Sequence, residues 1–443
     1  MDRKVDRRRF VAATAAAGVG LMMGAANPAA EKPALLGGKR AHSGGWPAWP
    51  EWRQPWEADV LKVLRSGVWC SAGGGGKVTE FEAAYAKLLG AKRCLATASG
   101  TTALITSLHV VGVDAGDEVI CSPFTFNATY NAILNHKALP VFADTDPATL
   151  TIDPASIESR ITDRTRAILP VHIYGMPCDM DAICAIAKKH DMAVVEDACQ
   201  AWLAEYRGRK CGTLGDLGCF SFQNSKHLPA GEGGAVTGNS DPLLDRCHSF
   251  HNCGRATGTF RGRGSFTRGG NYRMQHFQAA MLLQQIDKLV QETEVRQANA
   301  DYLMEQLRQI PGIAPARLPE HSRAVWHMFP LRYDAHQFHG LPREKFVHAL
   351  AAEGIPCGGG YSEQYLDGMI DEAIQSRGYR RLWPAERLTA YRDSLRNLPG
   401  NRRVCATTVV LPQNLLLAER GSMDHIVDAI RKIQAYSEAL AAG

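Results

Sequence analysis

From residue 57 to about 240, short apolar runs alternate with stretches of helical periodicity. Strands are expected over 94–98, 118–121, 140–143, 167–171, 192–196 and 218–222. Helices are expected over 101–110, 126–135, 154–160 and 180–189. Several of the runs, such as Met192-Ala193-Val194-Val195-Glu196, are apolar without alternation, as strands buried on both faces are. Strand, helix, strand in repetition predicts a mainly parallel sheet covered by helices on both sides. Ligands of such sheets bind outside the carboxyl ends of the strands.

A long helical stretch follows over 275–309, stopped by Pro311-Gly312. Beyond it come an alternating strand over 324–333, a helix over 342–353 ended by Gly354, and a strand closing on Val409-Val410-Leu411-Pro412. Ser422 is placed to cap a last helix whose core face is Ile426, Ile430 and Ile433. The expected architecture is α/β, with a large mainly parallel sheet domain over 31–290 and a small α+β domain over 291–443.

Residues 1–30 read as a leader rather than as fold. Arg7-Arg8-Arg9-Phe10 has the R-R-x-F pattern of a twin-arginine export signal, followed by an Ala/Gly-rich stretch to Ala26. That stretch is too short for a span of about 20 residues. Export to the periplasm is therefore expected, and residence in the cytoplasm if the signal does not function. The formal charge of +5 is concentrated here, because residues 1–26 contribute +3 and leave +2 for the rest. A nearly neutral body argues against nucleic acid or an anionic membrane as partner. With 45% apolar and 21% charged residues, the chain has ample material for a core. Its twelve cysteines are scattered without C-x-x-C or zinc spacing, so they read as buried thiols and no metal site is expected.

Gly73-Gly74-Gly75-Gly76-Lys77 lacks the Ser/Thr after the lysine that a phosphate loop needs, and no strand delivers it; it reads as a loop. No G-x-G-x-x-G lies between the first strand and helix, which argues against a dinucleotide site. Ser99-Gly100-Thr101-Thr102 is a better anion site, because it joins a strand to a helix start with hydroxyls and free amides. Asp197 ends a buried strand and needs a cationic partner. Lys226 follows another strand, where desolvation lowers an ammonium pKa and prepares an amine nucleophile. Either residue alone reads as half of an ion pair. Joined to the phosphate cradle and to Phe126, which can cover a flat ring, the set matches pyridoxal 5′-phosphate.

These residues lie in stretches that resemble the DegT/DnrJ/StrS family of sugar aminotransferases: Ser99–Leu104, Asp117–Ile120, Pro170–Gly175, Glu196–Ala201, Phe220–Lys226, Gly231–Ala235 and Gly270–Met274. Trp46-Pro47-Ala48-Trp49-Pro50 is similar to the branch containing 3-amino-5-hydroxybenzoate synthase. The resemblance implies the aspartate-aminotransferase-like fold, fold type I of the pyridoxal-phosphate enzymes. It implies that Lys226 is the Schiff-base lysine and Asp197 the partner of the pyridine nitrogen. By the same resemblance Thr101, Thr102 and Ser221 contact the phosphate, Phe126 stacks on the ring and Gln200 lies against it. Asn271 would reach the cofactor phosphate of a neighbouring subunit, which implies a homodimer with shared sites.

The expected activity is ping-pong transfer of an amino group from Glu or Gln to a keto-sugar or keto-cyclitol. His172 and Tyr361 are candidate substrate-side residues, each equally readable as core or turn. A lyase or dehydratase on the same scaffold, or an exported binding protein without turnover, are the alternatives.

Overall fold

The computed structural model describes residues 31–260 and 267–442. The expected leader, with Arg7-Arg8-Arg9, lies outside the described residues. Seven strands form the large sheet: β1 (Arg93–Thr97), β2 (Glu118–Cys121), β3 (Leu139–Phe142), β4 (Thr165–Leu169), β5 (Ala193–Asp197), β6 (Leu217–Ser221) and β7 (Gly234–Gly238). Their order is β1-β7-β6-β5-β4-β2-β3. Only β7 runs against its neighbours, pairing antiparallel with β1 and β6. The pleat sends Val195 into one buried cluster and Val194 into another, so both faces are covered, as the non-alternating runs require.

Helix α1 (Gly100–Val110) follows β1, α2 (Ala128–Asn135) follows β2, and α3 (Met180–Lys189) precedes β5. The 32-residue helix α4 (His276–Leu307) crosses the expected boundary at 290/291 without interruption. Its first half packs Ala279, Leu282 and Leu289 into the large-sheet core, and its second half packs Ala300, Leu303 and Leu307 under the small sheet. That three-stranded antiparallel sheet contains β8 (Ile313–Pro315), β9 (Met328–Tyr333) and β10 (Thr408–Pro412).

Three local expectations are corrected. The strand expected over 324–333 begins only at Met328, because Val325 N and His327 N bond to the carbonyls of Gly175 and Tyr174 in the large domain. Ser422 caps nothing: it lies inside helix α5 (Gly421–Ala435), whose start has no side-chain cap. The segment 364–398 returns to the large sheet, where Tyr379 and Tyr391 donate to the carbonyls of Ala138 and Pro140.

An N-terminal arm over 34–56 straps the small domain. Buried Glu353 accepts from the amides of Ala34 and Ala41 and from Lys432 Nζ at 2.9 Å. All twelve cysteines are free thiols, with only Cys70 and Cys253 exposed. No helix among the described residues is long and apolar enough to cross a membrane.

Candidate active site

The carboxyl ends of β1, β5 and β6 meet at one edge of the sheet, and a cavity of about 580 Å³ opens there. Asp197, the last residue of β5, and Lys226, after β6, both line it. They do not neutralise each other by contact. Asp197 Oδ2 accepts from Thr129 Oγ1 at 2.7 Å and Oδ1 accepts from Cys199 N at 3.2 Å. Thr125 Oγ1 lies 2.7 Å from Thr129 Oγ1. Because Thr129 spends its proton on Asp197, Thr125 is the donor of that second bond, and the chain fixes the carboxylate plane.

Lys226 Nζ stands 5.8 Å from the centre of the Trp202 ring. Burial pushes its ammonium below the ordinary lysine range, against the opposing pull of Cys199 and Asp197. Behind it, burial holds His227 and His327 neutral, their pKa values driven down further by neighbouring cations. The lysine is therefore partly desolvated yet retains a carboxylate in the same cavity.

At a third side stands the start of α1. Ser99 is its N-cap, accepting from Thr102 N at 3.1 Å, while Thr102 Oγ1 accepts from Ser99 N. Thr102 is thereby spent on the cap and does not line the cavity; Thr101 and Ser221 do. Helix geometry leaves the first amides, those of Gly100 and Thr101, without intrahelical acceptors. A Cβ at Gly100 would sit 2.8 Å from Ser221 Cβ, so only glycine lets the helix start approach β6 this closely. Two amides and two hydroxyls thus face the space beside Lys226, a donor set suited to a phosphate.

Phe126 precedes α2 instead of opening the helix, and it lines the cavity as a residue 53% exposed. Gln200 links the two domains: Oε1 accepts from Tyr174 N at 2.9 Å and Nε2 donates to Tyr361 OH at 3.1 Å. Tyr361 stacks on Tyr174 with centroids 5.6 Å apart, and burial pushes its phenol up to about 12. His172 does not reach the cavity. It is fully buried, its Nδ1 accepts from Cys178 N, and its Nε2–H therefore donates to Glu196 at 2.9 Å. Glu196 also accepts from the amides of Gly212, Leu214 and Gly215. In the His172–Glu196–Cys211 cluster the histidine and the carboxylate are thus spent on hydrogen bonds that shape a turn. Asn271 is exposed and off this cavity, bridged to Asn252.

Sequence reading missed Thr125, Thr129, Cys199, His327 and Met328, all near Asp197 or Lys226. The i, i+4 spacing of the two threonines at a helix start is a usable cue. His327 and Met328 carry none, since their place depends on the small domain folding over the large one.

The model of the DegT/DnrJ/EryC1/StrS aminotransferase family matches residues 52–379. L-glutamine:2-deoxy-scyllo-inosose aminotransferase of Streptoalloteichus tenebrarius is 32% identical over 415 residues, covering 90% of this chain and 97% of that protein. Spore coat polysaccharide biosynthesis protein SpsC of Bacillus subtilis is 38% identical over 303 residues, 67% of this chain and 77% of its own length. Among solved structures, 3-amino-5-hydroxybenzoic acid synthase superposes with a TM-score of 0.77 at 30% identity, covering 88% of this chain and 98% of that one.

The desolvation of Lys226 makes a direct prediction. In cofactor-free protein, competitive acetylation followed by peptide mass mapping should give Lys226 a lower pH midpoint than exposed Lys62. An equal or higher midpoint would show that the cavity does not desolvate the amine.

Proposed function

The chain belongs to the DegT/DnrJ/EryC1/StrS aminotransferase family, and on that premise we propose that it is a pyridoxal 5′-phosphate-dependent aminotransferase that moves an amino group from glutamine or glutamate to a keto-cyclitol or keto-sugar. The reading is carried by one observation: a desolvated lysine, a fixed carboxylate and a helix start with spare amides line the same cavity. The names of the curated relatives support the donor and acceptor classes. They also favour transfer over elimination.

The donor set fits the cofactor. Gly100 and Thr101 amides and the Thr101 and Ser221 hydroxyls would hold the phosphate, Phe126 would cover the ring, and Asp197 would keep a proton on the ring nitrogen. When bound, pyridoxal phosphate supplies an aldehyde that condenses with amines and an electron-poor ring that accepts the electrons of a breaking Cα–H bond. Lys226 would be the residue that holds the cofactor through that aldehyde. Its amine, once free, would serve as the base that takes the proton from the substrate Cα. Its depressed pKa suits this role, since an ordinary lysine would stay protonated. Tyr361, clamped by Gln200 and Tyr174, closes the small-domain side and limits water.

Two further parts of the reading concern assembly and location. A homodimer with shared sites is supported by the apolar side chains Trp52, Leu61, Leu64, Val68 and Trp69, which stand exposed between residues 52 and 69. In it Asn271 would complete the neighbouring subunit's phosphate site. The Arg7-Arg8-Arg9-Phe10 leader supports export of the folded, cofactor-loaded protein by the twin-arginine route.

Lys226→Ala should lose amine transfer and the visible absorbance of the bound cofactor; retained turnover would refute the assignment. Asp197→Asn should bind the cofactor yet lower kcat by roughly 100-fold or more, and wild-type kcat would remove its role. For the dimer, Lys226→Ala and Asn271→Ala chains refolded together in equal amounts should recover about a quarter of wild-type activity, because each mixed dimer regains one intact site. No recovery would contradict the shared site. Replacing Arg7 and Arg8 by lysine should retain the protein in the cytoplasm; an unprocessed cytoplasmic wild type would rule out export.

A further inference from the structure

The main-chain carbonyl of Lys226 accepts a single hydrogen bond among the described residues, and its donor is 177 residues away: the indole Nε1 of Trp49, at 3.1 Å. Lys226 N is already bonded to Gln223 O, so Trp49 fixes the remaining backbone polar group of that residue. The segment carrying Lys226 belongs to neither β6 nor β7. Without the indole its carbonyl would have no protein partner, and the backbone from which the four-carbon side chain springs would be free to turn.

Trp49 is itself held by contacts that a packing role alone does not require. Its ring lies 4.9 Å from Lys288 Nζ and 5.1 Å from the Arg296 guanidinium, both on α4 and both buried. Such contacts strengthen when the cation is desolvated. Glu292 pairs with both cations and Glu51 with Lys288. Just before Trp49 the arm is pinned by two hydrogen bonds. Trp46 Nε1 donates to Gly354 O at 2.8 Å, and Asn414 Nδ2 donates to Pro47 O at 2.6 Å. Trp49 also walls a side cavity of about 230 Å³ that shares Gln223, Ser225, His327 and Met328 with the main one.

We infer that Trp49 is a positioning residue for the reacting lysine, and that the N-terminal arm is thereby part of the active site. The indole N–H fixes the Lys226 carbonyl, and the ring walls the side cavity beside Gln223 and Ser225, on the segment that carries the lysine. Catalysis depends on aiming the amine within a fraction of an ångström. A backbone clamp therefore acts on turnover more than on donor affinity. The inference rests on the proposed role of Lys226, but its first readout does not need the cofactor.

The test is Trp49→Phe in the full-length protein, which keeps a ring over the two cations and removes the N–H. Trp46→Phe loosens the same arm without touching Lys226. In cofactor-free protein the acetylation midpoint of Lys226 should rise by about half a pH unit in Trp49→Phe, as the released backbone lets the ammonium swing out of its desolvated place, and stay put in Trp46→Phe. In loaded enzyme, kcat should fall ~10-fold with donor KM within about threefold. Should Trp49→Phe not fold, Asn414→Ala, which removes a wall that the side cavity shares with Trp49 and the Lys226 segment, should move the midpoint in the same direction. The inference is overturned if Trp49→Phe, or Asn414→Ala in its place, leaves the midpoint and kcat at wild-type values. It is also overturned if Trp46→Phe moves them equally, since general loosening would then explain both. Failure to bind pyridoxal phosphate would overturn the proposed function while leaving the midpoint shift readable.

Discussion

One cavity holds an amine and a carboxylate without letting them pair. Burial works against the charge on Lys226, and the Asp197 carboxylate is occupied by Thr129 and Cys199. A contact ion pair would fix the lysine in its protonated form and end its use as a nucleophile. Keeping the two apart in one cavity, with a helix start at the side, is what the sheet order accomplishes. Parallel strands end at one edge, so β1, β5 and β6 deliver the anion cradle, the acid and the amine to one place.

Much of this was legible in the residues. Apolar runs without alternation located β2, β4 and β5 to within a residue or two, because a strand covered on both faces has no polar side to vary. Asp197 stood out as a charge at the end of such a run, and Lys226 as a charge delivered a few residues beyond one. Thr102 was harder: its hydroxyl could serve a ligand or a cap, and the reciprocal bonds with Ser99 spend it on the cap. His172 was left open between cavity and core for a similar reason. A histidine after a strand can face the crevice or the core, and Glu196 draws it inward.

Long-range packing was not legible. Nothing local in 364–398 says that these helices leave the small domain and cover the large sheet. Nothing in Ala324–His327 says that its amides bond across to Tyr174 and Gly175. These choices depend on which apolar face meets which, and several pairings satisfy the same pattern. The arm shows the same limit: its Trp-Pro repeat is conspicuous, yet only the fold shows that Trp49 meets the Lys226 carbonyl and that Glu353 anchors the arm's start. The two domains are joined by α4, the arm and the Gln200–Tyr361 bond, so the geometry around the lysine depends on both.

The most direct test is chemical trapping. The protein is loaded with pyridoxal phosphate, reduced with borohydride and digested, and its peptides are mapped by mass. The account requires one modified peptide, carrying the reduced cofactor on Lys226. A cofactor fixed to another lysine, or to none, would contradict it.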